Sequence, residues 1–213
     1  MTDPVGALLV VDHLAVRRGG RTVIADLALE VRAGEVVGIV GANGCGKSTL
    51  LGAIAGVLPP SDGRITIAGA AVWGTRAHRA RARRALGYVP EAADPPGFLV
   101  GDELWNLCAT TRGAAPPSAE LRASLGLDEL AAIALDRMSL GQRRRACLGA
   151  AFLGPPVLLV LDEPDNGLDV ARLDALVALV RAHAAGGRAC VLASHDAALV
   201  ERLDARVVNL ATI

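Results

Sequence analysis

One eight-residue segment, 41–48 with the sequence GANGCGKS, constrains the fold of this 213-residue chain more than any other. It has the pattern G-x-x-x-x-G-K-S, and it lies between an apolar strand-like run (35–40) and an amphipathic helical pattern (47–56). Glycines let such a loop curl so that its N–H groups point at phosphate oxygens. We therefore predict a phosphate-binding loop in an α/β fold. The residues expected to bind the nucleotide here are Gly41, Asn43, Gly44, Cys45, Gly46, Lys47, Ser48 and Thr49.

Lys47 is the only lysine among the 22 basic residues of the chain. A lysine ammonium is a compact charge on a flexible stem, whereas a guanidinium is a wide planar fork. A tight loop around a phosphate has room for the first. We predict that Lys47 reaches the β- and γ-phosphates and that the Ser48 hydroxyl ligates Mg²⁺. The loop by itself does not distinguish between kinases, GTPases and ATPases.

Charged residues follow two apolar runs later in the chain. Asp162 and Glu163 come after the run 157–161, and His195 follows the run 189–194. Ligands of open α/β sheets lie at the carboxyl ends of the strands. We predict that Asp162 holds Mg²⁺, that Glu163 polarises an attacking water, and that His195 senses the γ-phosphate. Alternatively, the acidic pair caps the following helix and the histidine is a capping or surface residue.

The distribution of apolar runs predicts an α/β domain with a helical insert. The early runs predict an antiparallel sheet with turns at Gly19-Gly20 and Ala33-Gly34, and the runs 157–161 and 189–194 predict buried parallel strands. Residues 92–153 hold helical patterns without a convincing strand. We expect a single domain over 1–213, with a nucleotide-binding core (1–91 and 154–213) and a helical subdomain (92–153).

Composition and termini exclude several classes of protein. The formal net charge is zero, so no overall field draws the chain to nucleic acid. Asp3 stands where a signal peptide has basic residues, and no apolar run reaches the ~20 residues of a spanning helix. The cysteines lack metal-type spacing and indicate reduced thiols in a cytosolic protein. They are Cys45, Cys108, Cys147 and Cys190.

A further motif, MSLGQ at 138–142, resembles the L-S-G-G-Q signature of ATP-binding cassette (ABC) ATPases. The order of motifs is also similar to that of this family: phosphate loop, signature, L-D-E-P, N-G-L-D and S-H-D. The resemblance runs from about residue 7 to 210. It implies a P-loop NTPase fold of the ABC type, ATP and Mg²⁺ as cofactors, Glu163 as general base and His195 as the γ-phosphate switch.

The signature has a physical basis of its own. Ser139 is a suitable N-cap for a helix that starts near Gln142, and exposed N–H groups at Gly141 together with the Ser139 hydroxyl would form a second anion site. The family resemblance implies that this site completes the ATP site of a second subunit in a head-to-tail dimer. It also implies that Asp169, in the loop 166–169, lies at that interface.

Three positions depart from the family pattern. Glu91 stands where the family usually has glutamine; a carboxylate can still ligate Mg²⁺, and similar Pro-Glu versions occur in some exporter-type members. Arg18 stands where an aromatic residue often stacks on adenine, and a guanidinium can also stack on a base. Leu140 replaces a signature glycine, but Gly141 is retained, so we expect function to survive.

The resemblance implies an ATP-hydrolysing subunit of a membrane transporter, with a separate transmembrane permease subunit and a second ABC subunit as partners. We expect export, and a cytoplasmic location on the inner face of the membrane. One alternative is a soluble ABC protein acting on ribosomes, DNA or a cofactor-assembly complex. Another is an inactive regulatory cassette, against which Lys47, Glu163 and His195 argue.

Three other features carry weaker expectations. Cys45 lies beside Lys47 and a helix N-terminus, which favour a thiolate, so we predict inactivation by a thiol alkylator and protection by Mg-ATP. The five arginines of the run 75–85 indicate a solvated helix face or a contact with an anionic surface. Trp105 is expected to pack inside the helical insert.

Overall fold

In the computed structural model, which describes residues 6–210, the strands are divided between two sheets. In chain order the strands are β1 (Ala7–Arg18), β2 (Arg21–Arg32), β3 (Val36–Val40), β4 (Asp62–Ile67), β5 (Ala70–Ala71), β6 (Leu86–Val89), β7 (Leu158–Asp162), β8 (Ala189–Ala193) and β9 (Arg206–Asn209). The antiparallel sheet has the order β2-β1-β4-β5. Its first turn lies at Gly19-Gly20 as predicted, and both glycines have positive φ.

The second sheet is parallel throughout, with the order β6-β7-β8-β3-β9. Every residue of β7 and β8 is buried, which confirms the prediction of buried parallel strands. The antiparallel prediction for the early strands is wrong for β3. After Gly34 the chain leaves the first sheet, and β3, which is buried on both faces, pairs with β8 and β9.

The helices are α1 (Lys47–Ile54), α2 (Arg76–Arg84), α3 (Gly101–Arg112), α4 (Ala119–Leu125), α5 (Leu140–Ala151), α6 (Val170–Ala185) and α7 (Ala197–Arg202). Helix α1 lies within the helical pattern predicted at 47–56. Helix α5 begins two residues before the expected start near Gln142, because Ser139 caps it directly. Among the described residues, no helix is both long and apolar enough to span a membrane.

Two apolar clusters cover the two faces of the parallel sheet. One joins the sheet to α1 and the antiparallel strands, and the other joins it to α6 and the helices of 92–153. Trp105 is fully buried in the second cluster and donates a hydrogen bond to the Ala146 carbonyl at 2.9 Å, as expected for packing within the insert. The predicted α/β class is confirmed.

Helix α2 carries the arginine-rich run. Its five arginines are exposed, only Ala82 of the helix is buried, and none of these arginines forms an ion pair with a described residue. This matches the expected solvated face. The four cysteines of the chain are free thiols.

Candidate nucleotide site

The phosphate loop connects the end of β3 to the start of α1. Gly46 is the N-cap of α1 with a φ of 108°, a conformation that strains any other residue. Lys47 is 7% exposed, and its Nζ donates to the Gly41 carbonyl at 2.9 Å and to the Ala42 carbonyl at 3.4 Å. The ammonium therefore lies inside the curl of the loop, where a compact cation fits.

A cleft of about 580 Å³ opens beside this loop and joins distant parts of the chain. Its lining residues are Arg18, Val23, Asn43, Gly44, Gly46, Lys47, Ser48, Thr49, Glu91, Glu163 and His195. All of these except Val23 are predicted site residues. Gly41, Cys45 and Asp162 do not line the cleft, but Gly41 contacts Lys47 and Asp162 contacts Ser48.

Asp162 lies at the end of β7 with one oxygen unsatisfied. Hydrogen bonds from the Ser48 hydroxyl and the Glu91 main chain lower the pKa of its carboxyl, but burial raises it more. Its Oδ1 is buried without a hydrogen-bond partner. A buried carboxylate oxygen without a donor is costly, and a cation relieves that cost. The donor set of Ser48, Asp162 and Glu91 fits Mg²⁺.

Within 6–210, no three or more His, Cys, Asp and Glu side chains cluster as a metal cage. This is consistent with Mg²⁺ chemistry, because proteins usually hold that ion through one or two carboxylates together with substrate phosphates. A site made of two carboxylates and a hydroxyl would therefore be completed by the nucleotide.

Glu163 and His195 form a pair at the edge of the cleft. His195 donates its main-chain N–H to Glu163 Oε2 at 3.0 Å, and its Nε2 lies 3.2 Å from Oε1. Glu163 is 3% exposed and has a φ of 47°, unusual for a residue with a side chain. Burial raises the pKa of the Glu163 carboxyl, and the hydrogen bond from His195 opposes this rise.

The far end of the cleft is built by the hairpin of β1 and β2. Arg18 lines it beside Val23, whose side chain packs on Gly46. Arg18, predicted to stack on the base, thus lines the cleft, and its stacking role stays a prediction. Val23 is a residue that the sequence reasoning missed, because a valine in a strand carries no signal beyond β propensity.

The signature residues lie outside this cleft. Ser139 Oγ accepts a hydrogen bond from the Gln142 main chain at 3.3 Å, and Gln142 Oε1 accepts one from the Ser139 main chain at 2.9 Å, a reciprocal cap at the start of α5. Leu140 beside them is 65% exposed. None of these residues lines the cleft beside the chain's own phosphate loop.

Gly141 packs against the loop that leads into α6. A Cβ at Gly141 would lie 2.1 Å from the Gly167 carbonyl oxygen, so only glycine fits there. Asp169 caps α6 by accepting a hydrogen bond from the Arg172 main chain at 2.8 Å, and Val170 is 75% exposed. The structure thus places the signature and the loop 166–169 together on one exposed surface.

Two further contacts around the site carried no clear signal in the sequence. Ser194 donates a hydrogen bond to Asp165 at 2.8 Å, which ties the segment after Glu163 to the segment before His195. Arg144, 3% exposed, donates to main-chain carbonyls near Glu91 and Asp162. The run of three arginines at 143–145 does not reveal which of them is buried.

Comparison with known sequences is consistent with this arrangement. A family model described as "ABC transporter" matches residues 24–166. An ABC transporter ATP-binding protein of Streptomyces avermitilis is 40% identical over 208 residues, and this chain spans 36% of its length. The zinc import ATP-binding protein ZnuC of Cereibacter sphaeroides is 36% identical, with 95% of this chain and 79% of that protein covered.

An export protein and solved structures are similar as well. The cytochrome c biogenesis ATP-binding export protein CcmA of Novosphingobium aromaticivorans is 35% identical, with 92% of each chain covered. The solved ATP-binding subunit of an ABC transporter is 30% identical with a TM-score of 0.83, over 92% of this chain and 82% of that one. A dimeric ATP-binding cassette with ADP and Pi, 21% identical over 94% and 93% of the two chains, has the same fold with a TM-score of 0.80.

The motifs, the cleft that joins them and these similarities agree with one another. The chain belongs to the ABC transporter family and is an ATP-binding, ATP-hydrolysing cassette of it.

Proposed function

We propose that this chain is the ATP-hydrolysing subunit of a membrane transporter whose spanning part is a separate permease chain. The observation that carries the proposal is the cleft in which the phosphate loop, Glu91, Glu163 and His195 meet. These residues come from four separate segments of the sequence. Their convergence at the carboxyl edge of a parallel sheet is the arrangement that phosphoryl-transfer chemistry requires.

The cleft residues divide the work by their chemistry. The loop N–H groups and Lys47 would hold the β- and γ-phosphates. Glu163 would act as general base, since its carboxylate is held at the cleft edge and its raised pKa makes it a better proton acceptor than an ordinary glutamate. His195 would orient Glu163 through the two contacts it makes and would contact the γ-phosphate.

Ser48, Asp162 and Glu91 would hold Mg²⁺, for which the unsatisfied Asp162 Oδ1 is the supporting observation. A bound magnesium ion would neutralise phosphate charge in the site. Arg18 would face the base, with Val23 as the apolar wall beside it.

We propose a head-to-tail dimer with two ATP molecules at its interface. Ser139, Gly141 and Gln142 would contact the ATP of the partner subunit, and Asp169 would lie at the same interface. The support is the exposed helix start, which lies outside the chain's own cleft and beside exposed Leu140 and Val170. The partner subunit would be a second copy of this chain or a related cassette.

The segment 92–153 would be a helical subdomain that contacts the permease, and the core would comprise 1–91 and 154–213. The segment carries large exposed apolar side chains at Phe98, 80% exposed, and Leu107, 52% exposed. Such side chains are typical of interaction surfaces when they occur together. We therefore propose a location in the cytoplasm, on the inner face of the membrane, without contact to nucleic acid.

We propose export as the direction of transport. This rests on the Pro90-Glu91 variant alone, because the similar proteins named above include one for zinc import and one for export. The alternative, a soluble ABC protein, predicts different partners. Identification of the proteins that bind this chain therefore distinguishes the two proposals.

The test is affinity capture of the tagged chain from detergent-solubilised native cells, with partners identified by mass spectrometry. We expect one multi-spanning protein in a near one-to-one ratio to the tagged chain. A variant with Phe98→Ser and Leu107→Ser serves as the matched control and should lose that protein while still hydrolysing ATP. Recovery of ribosomal or soluble assembly proteins instead, with no spanning partner, would overturn the transporter proposal.

A further inference from the structure

Arg144 is the buried arginine of the signature helix. It lies in the first half of α5, two residues after Gln142, and is 3% exposed, whereas its neighbours Arg143 and Arg145 are partly exposed. An arginine is almost never fully buried unless its donors are satisfied. Its surroundings therefore show what the side chain holds together.

The guanidinium joins three segments of the chain. Nη1 donates to the Pro90 carbonyl at 2.9 Å and to the Asp162 carbonyl at 3.3 Å, and Nη2 donates to the Glu91 carbonyl at 2.6 Å. Nε has no partner. Helix α5, the loop after β6 and the end of β7 thus meet at one side chain.

Two of the three residues whose carbonyls accept from Arg144 are Glu91 and Asp162, whose carboxylates we propose as ligands of Mg²⁺. The Glu91 main chain also donates a hydrogen bond to the Asp162 carboxylate. The backbone of Glu91 is therefore held at both of its polar groups, by Arg144 at the carbonyl and by Asp162 at the N–H. A shift of α5 would move this residue relative to β7.

We propose that Arg144 is a positioning residue that couples the signature helix to the Mg²⁺ site, by setting the place of Glu91 relative to Asp162. The inference rests on the function proposed above. It gives the helix that bears Ser139 a direct mechanical connection to the metal ligands of the same chain. A planar fork with several donors makes this connection; a lysine, with a single point charge, does not span the three carbonyls.

Arg145, the next residue on the same helix, provides a matched control. It also donates to main-chain carbonyls, those of Leu125 and Gly126 at 3.1 Å each, and it pairs with Glu129. These contacts close the end of α4 and do not touch the cleft. Loss of Arg145 therefore tests the structural cost of removing such an arginine from α5.

The experiment measures ATP binding by isothermal titration calorimetry with and without Mg²⁺, in the full chain carrying Glu163→Gln to prevent turnover. Arg144→Gln is expected to weaken Mg-ATP binding about 10-fold, the scale of lost outer contacts to metal ligands. Binding of ATP in EDTA should stay unchanged, because the phosphate loop is untouched. Arg145→Gln should lower the melting temperature and leave both affinities as they were.

The outcomes separate this inference from the proposed function. If the parent chain fails to bind ATP at all, the proposed function is overturned. If the parent binds ATP but Arg144→Gln keeps the full effect of Mg²⁺, the positioning role of Arg144 is overturned. Should Arg144→Gln not fold, Arg144→Lys replaces it: the inference requires a selective loss of Mg-ATP affinity, and affinities equal to those of the parent chain both with and without Mg²⁺ would contradict it.

Discussion

The phosphate loop and the signature loop, which we propose as two anion sites, both lie at helix N-termini, yet they are built differently. The first encloses a buried Lys47 and lies in a cleft that Glu163 and His195 of the same chain also line. The second has no basic side chain within it, is capped by Ser139 and Gln142, and lies on an exposed surface. In the proposed dimer, the first site is nearly complete within this chain, whereas the second would bind a ligand brought by another subunit.

Glycines serve different physical needs in the two loops. Gly44 has a φ of 78° and open space around it, so its requirement is conformational. Gly141 is required because the Gly167 carbonyl lies against it. The first loop is shaped by backbone torsion, and the second by close packing on the loop 166–169.

The largest effect is expected for Glu163→Gln, which removes the proposed base. Turnover should fall about 10²–10⁴-fold, the usual contribution of a general base, while ATP affinity is retained. Because hydrolysis no longer reopens the interface, light scattering with Mg-ATP should show a dimer. A persistent monomer at saturating Mg-ATP would contradict the shared-site interpretation.

Gly141→Ala and Gly44→Ala should separate the two loops. A Cβ at Gly141 overlaps a main-chain oxygen and should destabilise the fold by about 1–3 kcal/mol, with loss of turnover but retained ATP binding. Gly44→Ala should cost about 1–2 kcal/mol in the left-handed region and weaken ATP binding itself. For both variants, calorimetry measures ATP binding and ATPase assays measure turnover.

Gly186→Ala is the control for these glycine variants, because the nearest contact there is the flexible end of Arg188, far from either loop. It should leave ATP binding and turnover unchanged. Identical behaviour of Gly141→Ala and Gly44→Ala would remove the distinction between the loops.

The pH dependence should report the Glu163 environment. Burial raises its pKa, so the folded chain binds a proton more tightly than the unfolded chain does. Stability should therefore fall as pH rises from the ordinary glutamate range through the raised pKa, and turnover should rise over the same interval. Melting curves of the nucleotide-free protein test this, and Glu163→Gln should melt higher near neutral pH with a flatter profile.

Of these substitutions, Cys45→Ser changes the structure least. A thiol alkylator should inactivate the protein, Mg-ATP should protect it, and Cys45→Ser should be resistant because no reactive thiol is left in the loop. Cys147→Ser is the matched control: burial raises the pKa of the Cys147 thiol to about 11, so it reacts slowly and its loss should not slow inactivation. Inactivation of Cys45→Ser equal to that of the parent chain would contradict the prediction.

Much of the fold was predictable because its signals are local. The Gly19-Gly20 turn, the buried strands β7 and β8 and the Ser139 cap each follow from neighbouring residues. The assignment of β3 to the parallel sheet was not, because strand pairing depends on residues about 150 positions away in sequence, near Cys190.

The site was predictable to the same degree. Motifs in the sequence indicate roles for residues such as Lys47 and Glu163, and the structure brings these residues into one cleft. Val23 and Arg144 do not, since their positions depend on tertiary contacts with Gly46 and with the carbonyls near Glu91. The interaction of β2 with the phosphate loop has no counterpart in a local sequence pattern.

The central claim, that each ATP site is shared by two subunits, is tested most directly by mixing two inactive variants. Lys47→Ala removes the phosphate-loop cation, and Ser139→Phe removes the signature cap. In a head-to-tail dimer, one mixed pairing keeps an intact loop opposite an intact signature, so an equal mixture should regain about a quarter of the parental ATPase activity. A mixture as inactive as its separate components, with both variants folded, would contradict the account.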